Sequence, residues 1–182
     1  MSPDNTTQLM LALLGFALVA GALGWSAYGR AVWPPVSAAA LAAAAVVAAV
    51  ADELSTDRVE MTIIVAISGL LAVAGGGPLT TRIFAIVDQG QPAIDSISDA
   101  GAILKGGAWI GALERMAVFA GLAAGFPEGV AVVLALKGVG RFPDLRADAA
   151  AGGATTERFI IGTFTSVLWA AACAGMVALV RR

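Results

Sequence analysis

The chain has 182 residues, of which 59% are hydrophobic and 13% are charged, whereas soluble domains average about 45–50% apolar and about 25% charged residues. So little charge cannot cover the surface of a small water-soluble protein, and the mean hydropathy of +0.86 favours a surface that faces lipid. The net charge of −2 and the lack of a Lys/Arg run exclude a basic surface for binding nucleic acid. The absence of histidine excludes Ser-His and Cys-His catalysis. The single cysteine, Cys173, excludes an internal disulfide.

Four charge-free runs predict membrane-spanning helices. They are Asn5–Gly29, Ala31–Ala51, Met61–Thr81 and Phe159–Val180, and each exceeds the ~18 apolar residues at which a spanning helix becomes the default interpretation. The first run is longer than the apolar core of a signal peptide, and no positive charge precedes it. We therefore interpret it as a span of the mature protein.

Turn residues divide the first half of the chain. Pro34 and Pro35 suit a helix start, and Tyr28 and Trp33 are the aromatic types that concentrate at membrane interfaces. The cluster Gly75-Gly76-Gly77-Pro78 is predicted to end the third span.

Two shorter apolar runs in the second half predict a helical hairpin, with a tight turn at Phe126-Pro127-Glu128-Gly129. Before this turn, residues 92–105 would form a helix with apolar residues on one face and acidic residues on the other. This pattern predicts a helix lying in the membrane interface, and an ordinary loop helix stays open as the alternative. The prediction is one all-α domain, 1–182, forming a polytopic bundle of about six transmembrane spans at about 9–29, 33–51, 61–77, 107–126, 128–142 and 158–180. A five-span arrangement with a re-entrant hairpin stays open.

The fourth and fifth spans carry charges inside apolar sequence. A carboxylate in hydrocarbon must be paired or neutral. If the hairpin turns near Pro127, Glu114 lies level with Arg141 and one turn from Lys137. We therefore expect Glu114 to pair with Arg141 or Lys137, while Arg115, one step round the helix, extends toward the interface or meets Glu157.

Small residues follow two helical stripes. Gly107, Gly111, Gly121 and Gly125 share a face with Glu114, which predicts a helix-packing seam. In the last span, positions 162, 166, 169, 173 and 176 recur at steps of four and three, which predicts a packing stripe, with a ligand-contacting wall as the alternative.

The residues of chemical interest form a predicted intramembrane charge cluster. Two interpretations stay open: a structural ion-pair network that locks the hairpin, or a site for a solute, an ion or a lipid headgroup. Its members are Glu114, Arg115, Lys137, Arg141, Glu157 and Arg158.

No catalytic signature is present. The sequence contains no GxxxxGK[ST], HExxH or GxSxG pattern, and Asp95 with Asp99 is better explained as a solvated helix face than as a cation site. We predict no enzymatic activity, no cofactor and no metal.

Positive charges indicate the orientation. In a six-span arrangement seven Lys and Arg residues fall on one side and three on the other, so the positive-inside rule places both termini outside the cytoplasm. The Ala-, Gly- and Val-rich composition hints at a bacterial source, and hence at a bacterial plasma membrane.

One part of the chain resembles a known family. The segments WIGALER at 109–115, GFPEG at 125–129, KGVGRF at 137–142 and ERFIIGT at 157–163 resemble the C-terminal half of a family of bacterial multi-pass membrane proteins, a domain of unknown function with the pattern WIGxLER, GxPEG, KxxxRF and ERFIIGT. The resemblance implies a fold without an activity, and its motifs contain the charged residues singled out above.

These observations together favour a small transporter or channel component, with Glu114 as the ion- or proton-sensitive group. The alternatives are an accessory or solute-binding subunit of a larger membrane complex and a lipid-headgroup enzyme that holds phosphate with Lys137, Arg141, Arg146 and Arg158. The expected partners are membrane lipids, a second copy or a membrane-complex subunit, and a small solute or ion. No nucleic-acid partner is expected.

Overall fold

The computed structural model describes residues 3–51, 54, 56–88, 107–149 and 154–181, and its regular structure in these ranges is entirely α-helical, as predicted. The predicted interfacial helix at 92–105, including Asp95 and Asp99, lies outside the described residues. The described helices are α1 (Pro3–Leu23), α2 (Trp33–Val50), α3 (Arg58–Val87), α4 (Gly107–Ala123), α5 (Glu128–Ala149) and α6 (Ala154–Val180).

Helix α1 ends earlier than the predicted span. After Leu23 the chain tightens, because the backbone N–H of Ser26 donates to Leu23 at 3.0 Å, three residues back. The Ser26 hydroxyl also donates to the Leu23 carbonyl at 2.7 Å and accepts from the Gly29 N–H at 3.1 Å. Trp25 and Tyr28 therefore lie in the connection between α1 and α2.

Helix α3 begins with a capping box. The Asp57 carboxylate accepts the N–H of Glu60 at 2.7 Å, and the Glu60 carboxylate accepts the N–H of Asp57 at 3.1 Å. The helix then runs for 30 residues and contains Pro78 in its interior. The prediction that Gly75–Pro78 ends this span is therefore wrong.

The turn predicted at Phe126–Gly129 is confirmed. Gly125 has a φ of 78°, a conformation that glycine adopts without a steric penalty. Its N–H donates to Leu122 at 3.1 Å and the Phe126 N–H donates to Gly121 at 2.8 Å, which is the Schellman pattern that closes a helix C-terminus. Helix α5 then extends past the predicted end at 142, through Pro143, to Ala149.

Helices that follow one another along the chain alternate in direction, whereas α1 and α3 pack in parallel. Gly21 of α1 lies against Gly75 and Gly24 against Pro78, so α1 and α3 are parallel. Helix α6 is antiparallel to α3, because Gly162 lies against Phe84 while Trp169 bonds to Leu71. The start of α1 and the end of α6 consequently lie at the same end of the bundle.

The core lies between α1, α2, α3 and α6, with α4 covering the joint of α3 and α6. It is built from leucine, methionine and alanine, and the stripe predicted on α6 contributes buried Ser166, Trp169, Cys173 and Met176. Packing is therefore confirmed for these four residues. Many large apolar side chains also point outward, among them Phe16, Val46, Leu70 and Leu168, as expected for surfaces that contact lipid.

Four of the described helices are long and apolar enough to cross a membrane. Helix α4 has only 17 residues, and α5 carries six Asp, Glu, Lys and Arg residues. The coarser prediction of several membrane-compatible helices is thus confirmed, while the count of six spans is not. The four membrane-compatible helices are Asp4–Leu23, Trp33–Val50, Arg58–Val87 and Thr156–Val180.

Candidate functional site

One turn of α3 is bound from outside by three side chains. Pro78 has no N–H, so it cannot donate to the carbonyl of Ala74, four residues earlier. The indole Nε1 of Trp25 donates to that oxygen at 2.8 Å. Trp25 thus provides the hydrogen bond that Pro78 does not form, and α3 continues past the proline.

Two further donors reach carbonyls of the same turn. The indole Nε1 of Trp169, on α6, donates to Leu71 at 3.1 Å, and Nε of Arg115, on α4, donates to Val73 at 3.2 Å. Each carbonyl oxygen has two lone pairs, so it can accept a side-chain donor beside a helical one. Carbonyl-bound donors from three directions therefore fix this turn of α3.

The three consecutive glycines explain how the donors come so close. A Cβ at Gly75 would lie closer than 3.0 Å to the Trp169 ring, one at Gly76 to the Arg115 side chain, and one at Gly77 to the Trp25 ring. No real Cβ tolerates such contacts without movement of its neighbours. Each glycine of the cluster therefore accommodates one of the three donors. We call Gly75, Gly76, Gly77 and Pro78, with Trp25, Arg115 and Trp169, the α3 hub.

Arg115 is the charged member of the α3 hub. Only 7% of it is exposed, and its NH1 lies 3.5 Å from the Ser166 hydroxyl, at the limit of a hydrogen bond. None of the described carboxylates forms an ion pair with it. The expectation that Arg115 extends to the interface or meets Glu157 is wrong, because the guanidinium binds the Val73 carbonyl and the Ser166 hydroxyl inside the bundle.

Next to the α3 hub, Glu114 pairs with Lys137. Lys137 Nζ lies 2.5 Å from Glu114 Oε2, so of the two cations expected to meet Glu114 the structure brings Lys137 to it. Their side chains are 18% and 21% exposed, and Lys137 Nζ also lies 5.9 Å from the centre of the Phe159 ring. The pair joins α4 to α5 at the edge of the bundle.

The other predicted cluster members differ from this pair in partner or exposure. Arg158 binds Asp88 with NH2 and Oδ1 2.8 Å apart, which joins the start of α6 to the end of α3. Arg141 and Glu157 are exposed. The structure therefore pairs Glu114 with Lys137, Arg158 with Asp88, and Arg115 with the Val73 carbonyl of α3.

Among the described residues, no other helix lies within 4 Å of a Cβ placed at the four glycines of the predicted α4 seam. A Cβ at Gly107 or Gly125 would meet nothing within 4 Å among the described residues. Gly111 lies beside Arg115 of its own helix, and Gly121 lies beside the Phe126 carbonyl of the following turn. Helices instead approach closely at glycines of α1 and α3.

Sequence reasoning missed Trp25 and Trp169 as hydrogen-bond donors. The available signal was a proline that follows three glycines within a long apolar run, which leaves a carbonyl free and space beside it. A tryptophan near the interface provides an N–H donor of the right type. The sequence does not reveal which tryptophan lies at that depth.

Comparisons with protein-family models, with curated proteins and with solved structures find no match. The resemblance described above therefore stays a prediction, and the chemistry of the site must be argued from its residues. Among the described residues, no group of three His, Cys, Asp and Glu side chains could hold a metal ion. The site consists of the Glu114–Lys137 salt bridge next to Arg115, a buried cation of α4 that binds the proline-containing helix α3.

Proposed function

We propose that the chain is an integral membrane protein that acts as a small transporter or channel component, with the Glu114–Lys137 pair as its ion- or proton-sensitive site. The observation that supports this is the position of the pair, partly exposed and one residue from Arg115, which is fixed to α3. Ionisable side chains within membrane helices are functional candidates by default, because each costs about 2.5–3.5 kcal/mol at the centre of an inserted helix.

The α3 hub supports the same proposal. Helix α3 stays continuous through Pro78, because side chains from three other parts of the chain bind carbonyls of the turn before it. Arg115 is one of these three side chains, and it follows Glu114 directly in sequence. In this proposal, α4 stays attached to α3 through Arg115 while α5 responds to the charge of Glu114.

Helix α5 has the packing expected of a moving part. None of its described side chains is fully buried, and it packs mainly against α4 and α6. When Glu114 binds a proton, its attraction for Lys137 falls, and α5 loses its charged contact with α4. Proton or ion binding at Glu114 thus alters the α4–α5 hairpin without breaking the core.

The test is proton flux through liposomes. Purified protein is reconstituted with a trapped pH dye, and valinomycin with a potassium gradient sets the driving potential. We expect flux above that of protein-free liposomes, lost in Glu114→Gln and retained in Glu128→Gln, which removes an exposed carboxylate at the start of α5. Flux equal to that of empty liposomes, or unchanged by Glu114→Gln, would reject the proposal.

An accessory subunit of a larger membrane complex is the second candidate. The observation that favours it is the exposed apolar surface of α5, which includes Val132, Leu136 and Val139. In that case a partner covers α5, and Leu136→Arg dissociates the complex in mild detergent. The wild-type chain alone then shows no proton flux. Leu70→Arg, which changes an outward-facing residue of α3, serves as the control.

We further propose a bacterial plasma membrane with both termini outside the cytoplasm, and self-association through the α4 glycines. The placement of both termini at one end of the bundle and the seven-to-three distribution of Lys and Arg support the orientation. A Cβ placed at Gly107 or Gly125 meets no described residue within 4 Å, which supports a contact with a second copy. Native mass spectrometry of Gly107→Leu against wild type tests the self-association, which the substitution should abolish.

A further inference from the structure

A groove of about 700 Å³ lies between α2 and α6 on the side of the bundle away from α4 and α5. Its α2 wall includes Ala42 and Ala45, and its α6 wall includes Trp169 and Gly175. Leu79 and Ile83 of α3 line the end near Thr165, because α6 runs antiparallel to α3. The groove is separate from the Glu114–Lys137 pair.

Mostly apolar side chains line the groove. A Cβ placed at Gly175 would meet no described residue within 4 Å. Its α6 wall runs from Thr165 to Leu179, which at ~1.5 Å per residue is about 21 Å. One leaflet of the hydrocarbon core is about 15 Å deep, so the groove is long enough to hold an acyl chain lying along its leaflet.

A cation lies at the Leu79 and Ile83 end of the groove. Arg82 is on the same turn of α3, just beyond Pro78, and is partly exposed. The structure gives it no ion pair or hydrogen bond to another described residue, whereas the neighbouring Asp88 is already paired with Arg158. The Trp25 ring lies against Gly77, five residues before Arg82 on α3, and tryptophan is enriched near the headgroup region.

We propose that this groove binds one acyl chain of an anionic glycerophospholipid, whose phosphate lies at Arg82. Two features of the site favour this occupant. The lining of the groove is mostly apolar, and none of the described carboxylates forms an ion pair with Arg82 at its end. An acyl chain covers the apolar lining, and the phosphate joined to it supplies an anion for Arg82.

Native mass spectrometry from nanodiscs tests the proposal. Nanodiscs contain equal phosphatidylglycerol and phosphatidylcholine, and the lipid retained per protein chain is counted. Wild type should retain one phosphatidylglycerol, and Gly175→Leu, which fills the groove, should lose it. Gly15→Leu is the matched control, because Gly15 also has open space around it but lies on α1, outside the groove.

The charge is tested separately. Arg82→Gln should lower the preference for phosphatidylglycerol over phosphatidylcholine by about fivefold, while Arg58→Gln, at the opposite end of α3, should leave it unchanged. Should Gly175→Leu fail to fold, Ala42→Phe fills the groove from its exposed α2 wall.

Three results would overturn the proposal. They are retention of phosphatidylglycerol in both groove-filling variants, equal loss in Gly15→Leu, and a wild-type dimer that Gly175→Leu converts to a monomer. Glu114→Gln should not alter lipid retention, so the outcome is independent of the flux experiment.

Discussion

The indole Nε1 of Trp25 donates a 2.8 Å hydrogen bond to the carbonyl oxygen of Ala74. This is the oxygen that Pro78 leaves without a helical donor. A residue in the α1–α2 connection therefore completes the hydrogen bonding of α3, 49 positions further along the chain.

The first prediction is that Trp25 and Pro78 are energetically coupled. Trp25→Phe should lower the free energy of unfolding by about 0.5–1.5 kcal/mol, because one hydrogen bond is lost. In a Pro78→Ala background the N–H is restored, so the same change should cost less. The measurement is a double-mutant cycle from denaturant unfolding in detergent. Equal costs in both backgrounds would refute the coupling, and Trp33→Phe provides a control at a neighbouring interfacial aromatic.

The second prediction concerns Gly76. A Cβ there would overlap the Arg115 side chain, so Gly76→Ala should destabilise the protein by about 1–3 kcal/mol. Gly15→Ala, which meets open space, should instead be neutral or stabilise by up to about 1 kcal/mol through helix propensity. Thermal unfolding of the two variants compares them directly. A stabilising Gly76→Ala would show that Arg115 does not occupy that space.

The third prediction is that Arg115 acts through its guanidinium geometry rather than its charge. Arg115→Lys keeps the charge but removes the Nε donor that binds Val73, so it should destabilise by about 1.5–3 kcal/mol. Ser166→Ala should cost less than about 0.5 kcal/mol, because its contact with NH1 is long at 3.5 Å. Equal stability of Arg115→Lys and wild type would contradict this assignment.

The fourth prediction concerns the Glu114–Lys137 pair. Lys137→Met alone leaves the Glu114 carboxylate unpaired and should cost about 1–3 kcal/mol. Adding Glu114→Gln should recover part of that loss, because no unpaired charge then remains. The cycle is measured by unfolding at neutral pH, with Arg30→Met as the exposed control. Additive losses would mean that the two side chains do not interact in solution.

The fifth prediction tests orientation by cysteine labelling. The native Cys173 is fully buried, so wild type should not react with a membrane-impermeant maleimide while folded. Asp4→Cys should react in intact cells, whereas Tyr28→Cys, at the opposite end of α1, should react only after lysis. The reverse pattern would place both termini in the cytoplasm.

The sequence predicts those features that depend on neighbouring residues alone. Charge-free runs predicted four membrane-compatible helices because hydropathy sums over adjacent residues. The Gly125–Gly129 turn was predictable because glycine with positive φ and proline have local effects. The depth argument from Pro127 limited the partner of Glu114 to two cations, of which Lys137 meets it.

The failures share one physical cause. Pro78 was expected to end its helix, and Arg115 was expected to extend out of the bundle, because each residue was judged by its own helix. In both cases a distant group changes the outcome: Trp25 supplies the missing donor and the Val73 carbonyl supplies an acceptor. Such compensation depends on tertiary contacts between α1, α3 and α4, which sequence spacing does not fix.

The α3 hub also limits how the length of the chain can change. Three neighbouring parts of the protein bind carbonyls within a single turn of α3, from Leu71 to Ala74. Inserting one residue just before Leu71 would rotate that turn by about 100° relative to the preceding part of the helix. All three donors would lose their acceptors together. Insertions and deletions should therefore be tolerated before Arg58 and selected against between Leu71 and Pro78.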